Sequence, residues 1–162
     1  MRSNTQGNGW QCLGVVLLSL ALGGGACEPK TAAANYTVNT ETVTDATTGL
    51  TWERTVNSGS VVLSKAHEYC AGLTLDGWSG FRVPRVMELR SIVRRVRVFE
   101  ALKNKPAIDG IAFPNTAPAV HWALPEEDNP NKVKAYVVDF SDGTFNNLVT
   151  EFESHVVRCV RN

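Results

Sequence analysis

Three histidines and four cysteines are all that the 162 residues offer of the softer metal ligands. His67, His121 and His155 show no metal-ligand spacing, and isolated histidines are usually structural or solvent-exposed. No grouping of nucleophile, base and acid is visible, so the residues predict a binding module rather than an enzyme, and no cofactor is implied. Net charge is also missing: 16 basic side chains balance 16 acidic ones, and the pI is near 6.8. A nucleic-acid partner is therefore disfavoured. There is no internal repeat, no low-complexity tract and no run long enough to span a bilayer. The apolar run at residues 13–22 is about half of the roughly 20 residues a spanning helix needs.

What that run does resemble is the apolar part of a signal peptide. It follows an N-terminal amine and Arg2, and it ends in Gly23-Gly24-Gly25-Ala26. Residues 1–26 are accordingly read as a signal peptide of lipoprotein type, directly followed by Cys27. Acylation of Cys27 would anchor the chain in the bacterial envelope, at the outer membrane. The usual aliphatic residue three before the cysteine is Gly24 here, so ordinary cleavage, leaving Cys27 as a free N-terminal thiol on a secreted protein, stays open. Residues 27–39, rich in Ala, Thr and Asn, are read as a tether, and residues 40–162 as the folded domain.

Within that domain residues 42–44 and 50–54 flank Asp45-Ala46-Thr47-Thr48-Gly49 in a strand, turn, strand pattern, with Trp52 as a core aromatic. Ser64 is placed to cap a helix whose Ala66, Tyr69, Cys70 and Leu73 share one face. Residues 75–80 form a loop with Trp78 buried. Phe81-Arg82-Val83-Pro84-Arg85 is an extended approach to a proline corner, because proline fixes its own φ and pushes the preceding residue toward extended geometry. Leu89, Ile92, Val93, Val96 and Phe99 then predict an amphipathic helix of about three turns. Residues 121–124, 133–140, 144–148 and 156–160 read as strands, with Asp142-Gly143 as a hairpin turn. The class is α+β, with two helices and a mainly antiparallel sheet.

Once Cys12 leaves with the signal and Cys27 is terminal, Cys70 and Cys159 remain. In an oxidising compartment they are expected to pair, the alternative being two buried thiols. A spaced set of motifs then carries a resemblance: Thr48-Gly49-Leu50-Thr51-Trp52, Ala66 to Cys70, Phe81-Arg82-Val83-Pro84, Glu88-Leu89, Ile108-Asp109, Phe113-Pro114, Val138-Asp139-Phe140 with Asp142-Gly143, and Val157-Arg158-Cys159-Val160-Arg161. Together they resemble the Lcl C-terminal domain family, exported or surface domains of bacteria. The resemblance implies a fold similar to C-type lectin-like domains and formylglycine-generating enzymes. It also implies a bridge from the first helix to the last strand, which agrees with the pairing of Cys70 and Cys159. The catalytic cysteines of the enzyme relatives have no counterpart once those two are joined. At position 85 the family commonly has threonine; Arg85 keeps Glu88 three residues on but loses the side-chain acceptor of a capping box. It also puts positive charge at a helix start. Contact with an anion and a tolerated change at an exposed cap both account for it.

Two candidate sites follow. Between Arg82 and Lys105 stand eight basic residues against two acidic ones, Glu88 and Glu100. Arg85, Arg90, Arg94, Arg95, Arg97, Lys103 and Lys105 are read as a patch for acidic glycans or other polyanions, since guanidinium forks hold sulfate and carboxylate in bidentate fashion. Arg90, Arg94 and Arg97 would lie on one helix side; a solvated face or a structural protein contact is the alternative. The second candidate is calcium at Glu126, Glu127, Asp128 and Asn129, oxygen ligands of the right kind in a loop that lacks the usual calcium-dependent lectin motifs.

Overall fold

The computed structural model describes residues 35–94, 105–126, 135–146 and 151–162, together with the backbone of one strand pair nearer the N-terminus. That pair, β1 (Trp10–Gln11) and β2 (Glu28–Pro29), is antiparallel and belongs to a unit of its own, Met1–Thr31. The apolar run at 13–22 and Cys27 lie outside the described residues.

The second unit, Ala32–Asn162, is α+β. Its first sheet has the order β3 (Tyr36–Val38), β4 (Thr42–Asp45), β5 (Thr51–Glu53) and, from the far end of the chain, β9 (Val160–Arg161). The fold thus begins earlier than the predicted residue 40, because Tyr36, Thr37 and Val38 pair antiparallel with Asp45, Thr44 and Val43. The β4–β5 turn forms as expected. The Asp45 carboxylate accepts from Thr47 N–H and the Thr48 hydroxyl, while Gly49 N–H closes on Asp45 O at 2.8 Å. The second sheet is the antiparallel meander β6 (Val120–Ala123), β7 (Tyr136–Asp139) and β8 (Phe145–Asn146). Its β7–β8 turn at Asp142-Gly143 is the predicted hairpin, with Gly143 at φ 81°.

The proline corner ties the two sheets together. Arg82 exchanges both backbone hydrogen bonds with Val160 of β9, at 2.8 and 3.0 Å. Two residues on, Pro84 O accepts from Leu124 N–H, and Leu124 O accepts from Val86 N–H, both at 2.8 Å. The predicted strand at 156–160 is shorter than expected. Residues 155 and 156 make isolated bridges to Val61 and His121, and regular pairing starts only at Val160.

Strand alternation then sorts the core into two layers. Val138, Ala123 and Val160 face Leu89 and Ile92, with Val43, Trp52 and Phe113. Their neighbours Val137, Trp122 and Cys159 face α1 (Leu63–Gly72), with Ala66, Cys70, Phe81 and Val83. Trp52 is fully buried, as predicted. The Cys70–Cys159 disulfide, predicted from compartment and count, joins α1 to the segment entering β9, its Cα atoms 5.5 Å apart.

Both helices differ from expectation. α1 starts one residue before Ser64, with Val62 as N-cap and no side-chain cap: Leu63 is drawn in because its own side chain is needed in the core. α2 (Val86–Ser91) has six residues and not three turns. Ile92 and Val93 still reach the core, but from the chain leaving the helix. Val93 N–H bonds to Arg90 O, and Arg94 N–H turns to Ala107 O at 2.8 Å. Val96 and Phe99, the rest of the predicted stripe, lie outside the described residues.

Candidate functional site

The basic segment does not form a single helical face. Arg90 is on α2, whereas Arg94 follows its end, where the bond to Ala107 O brings it beside the returning chain that carries Lys105. Arg95, Arg97 and Lys103 lie outside the described residues. Arg85 is the N-cap residue and caps no N–H with its side chain, as a donor-only guanidinium must. Glu88 supplies the expected other half: its carboxylate accepts from Arg85 N–H at 2.7 Å. The same carboxylate takes both Arg82 Nη groups, at 2.8 and 2.7 Å. Burial alone would raise the Glu88 pKa, but these bonds outweigh it and hold the carboxyl below its ordinary value. Arg82 is thereby committed to an ion pair that fixes the helix start.

Arg90, Arg94 and Lys105 differ from Arg82, since no carboxylate pairs with any of them among the described residues. Arg90 is nonetheless held in place. Its guanidinium lies 4.2 Å over the Phe145 ring, and Nη1 comes within 3.5 Å of Met87 Sδ. Such stacking uses the face of the guanidinium and not its in-plane N–H edge. Beneath this ledge Met87, Arg90, Ser91, Val93 and Gly143 line an open groove of about 290 Å³. Gly143 is required at its floor: a Cβ there would meet Val93 Cγ1 at 2.7 Å, and the residue's φ is positive. Met87 and Phe145 are 56% and 47% exposed, an apolar pair placed at the edge of a cationic groove.

The acidic loop contributes differently from expectation. Glu126 accepts from Met87 N–H in the first turn of α2 at 3.1 Å, a helix-start role. Glu127, Asp128 and Asn129 lie outside the described residues. Among the described residues no group of three or more His, Cys, Asp or Glu side chains is placed to hold a metal ion.

Sequence reasoning missed two further features. Trp78 is 54% exposed and not buried, because the Asp76-Gly77 turn, with φ 47° and 79°, folds it back to pair with Leu75. That turn is clamped on β4 by Glu41 N–H and the Thr42 hydroxyl on the Asp76 carboxylate, at 3.0 and 2.7 Å, and Arg161 lies 4.5 Å over the indole. The second feature is a buried polar cluster. Arg158 is fully buried and donates to Glu53 O, Arg54 O and the Thr116 hydroxyl, while its guanidinium sits 5.0 Å over Phe113. Burial brings its pKa down to about 10, so it stays charged at neutral pH. The Glu53 carboxyl, pushed up by burial, accepts from the Tyr69 hydroxyl and from Cys159 N–H. These bonds satisfy buried polar groups where the last segment crosses the first sheet, all but Arg158 Nε, which has no partner among the described residues; the task is structural. Nothing in an apolar run such as Val157 to Val160 signals that its arginine turns inward.

No curated protein and no solved structure matches the chain. The model of the Lcl C-terminal domain matches residues 41–161, from the edge of β4 to the end of β9, and the chain belongs to that family.

Proposed function

We propose that this domain is an exported recognition module that binds acidic glycans or other polyanions in the groove between α2 and the β7–β8 turn, and that it is not an enzyme. The observation that carries this reading is Arg90, laid flat on Phe145 at 4.2 Å at the groove's edge with no acidic partner among the described residues. A guanidinium already ordered by stacking loses little freedom when it grips a sulfate or carboxylate. Arg94 and Lys105 add charge from the neighbouring segment, and Met87 and Phe145 offer apolar surface to a sugar's C–H face. Arg85, Arg95, Arg97 and Lys103 extend the same charge in sequence. The interaction is electrostatic and independent of calcium.

A C-type lectin-like fold is part of the proposal. It is supported by the bridge from the first helix to the last segment and by β9 lying beside β5, which brings the end of the domain into its opening sheet. Anchoring at an outer membrane through acylated Cys27 completes it, supported by the apolar run and small residues before that cysteine.

Heparin-derived oligosaccharides titrated against wild type, Arg90→Ala and an Arg90→Ala, Arg94→Ala, Lys105→Ala triple variant test the site. Loss of one charge-assisted contact should weaken binding by about tenfold or more. Binding should also fall steeply with salt, since exposed charges are screened over about 8 Å at physiological ionic strength. Wild-type affinity in the triple variant, or abolition by chelator, refutes it. A protein contact through the same ledge is the second reading, favoured by the exposure of Met87 and Phe145. It predicts loss of a partner upon Met87→Ala or Phe145→Ala with no response to heparin. Mass spectrometry of the mature N-terminus is expected to find acylated Cys27; an unmodified or Met1 N-terminus would contradict the anchor.

A further inference from the structure

We infer that the domain carries a second ligand site, for one neutral polyhydroxylated ring of monosaccharide size, in a hollow on the other side of the β7–β8 hairpin. The hollow has a volume of about 270 Å³, with Val120, Val137 and Phe145 as apolar lining and Asp139, Thr144, Asn146 and His155 as polar lining. Register explains how it arises. Successive strand residues point to opposite faces, so Asn146 shares the face of its partner Val137, and Asp139 shares that of its partner Val120. Phe145, paired with Val138, carries the Arg90 guanidinium and also lines the hollow, so the ring is common to the two sites.

The lining suits hydroxyl groups and is held in place. Asp139 Oδ1 accepts from Ser141 N–H at 2.7 Å, which orients the carboxylate and leaves Oδ2 for a hydroxyl donor. Thr144 is fixed through its N–H on Asp142 Oδ1 at 2.8 Å, and its hydroxyl has no partner among the described residues. The His155 ring packs at 4.6 Å against the buried Trp122, with Glu153 at 3.3 Å from Nε2. Carboxylate and hydroxyl together give a donor and acceptors over a few ångströms, the complement of neighbouring hydroxyls on a ring. The valine floor meets the C–H face of that ring. No lysine or arginine lines the hollow and Asp139 does, so an anion is disfavoured there. The volume is just under the roughly 300 Å³ at which small-molecule pockets begin, enough for one ring and no more.

The hollow shares Phe145 with the polyanion site but none of its polar lining, and the two fail separately. Isotope-labelled full chain titrated in turn with mannose, galactose and N-acetylglucosamine, followed by NMR, is the test. At least one of them should shift the Asn146 side-chain amide and the His155 ring, with little dependence on salt and unchanged in Arg90→Ala. Asn146→Trp fills the hollow from an exposed strand position and should abolish the shifts. Thr144→Val keeps the shape, removes one hydroxyl and should weaken binding by up to about tenfold. If no sugar shifts those resonances in the wild type, or if both variants bind as the wild type does, the second site is refuted, whatever heparin does at Arg90.

Discussion

Acidification should remove about 3 kcal/mol of folding stability through one side chain, His121. Its ring is 1% exposed, packs edge to face with Phe140 at 4.6 Å, and bonds through Nδ1 to Ala119 O at 2.8 Å. Since a carbonyl only accepts, Nδ1 carries the hydrogen of the neutral ring, and Nε2 is buried with no partner among the described residues. Protonation would put a charge there, so burial holds the pKa down at about 4, against an ordinary value of 6.5. Each tenfold of lost proton affinity costs about 1.4 kcal/mol. The sign follows from which state takes the proton: the unfolded chain binds it near pH 6.5, and the folded one refuses it until about pH 4. Stability from this group is complete above that window and is lost as pH falls through it, with about 2 kcal/mol gone by about pH 5. Two carboxyls bear on the result. Glu53, raised by burial, acts in the opposite sense, and Glu88, held down, loses its contribution only below its ordinary value of 4.5. His121→Phe isolates the effect, because Ala119 O keeps the N–H of Phe140 at 3.0 Å and no polar group is orphaned. Urea unfolding at constant ionic strength between about pH 7.5 and 5 should show wild type losing about 2 kcal/mol more than the variant. Equal losses in the two proteins would refute the assignment to His121.

The Cys70–Cys159 bridge closes a loop of 89 residues. Replacing both with serine should lower stability by about 4 kcal/mol in urea unfolding, and alkylation of the native protein without reductant should label neither sulfur. Gly143→Ala should cost about 1–3 kcal/mol, because it combines a positive φ with a Cβ pressed on Val93 Cγ1 at 2.7 Å; an unchanged unfolding midpoint would show that Val93 yields freely.

Local chemistry was legible from the chain alone. The Gly49 and Gly143 turns, the proline corner, Trp52 in the core and the capping Glu88 each depend on residues a few positions apart, and each forms where the sequence puts it. The cysteine pair was legible for a different reason: the expectation of export and signal cleavage leaves two candidates, and count then does the work of geometry. The order of elements, together with the spaced motifs, was enough to place the chain in its family.

Tertiary structure decided whatever depends on the partner a side chain meets. The apolar stripe that reads as a long helix is used differently: α2 stops at Ser91, and Ile92 and Val93 enter the core from the chain beyond it. Burial rewards position and not helicity, so periodicity marked Leu89, Ile92 and Val93 for the core but not the shape that brings the last two there. The same distant pairings placed Arg158 inside, where the backbone carbonyls of Glu53 and Arg54 accept its hydrogen bonds, and Trp78 outside, where Arg161 covers it. They also separated Arg82, taken by Glu88, from Arg90, laid on Phe145, although both are arginines of one basic segment. Charge along the chain is countable from sequence, but whether a given cation is spent on a neighbour or left for a ligand is fixed by residues that only folding brings beside it.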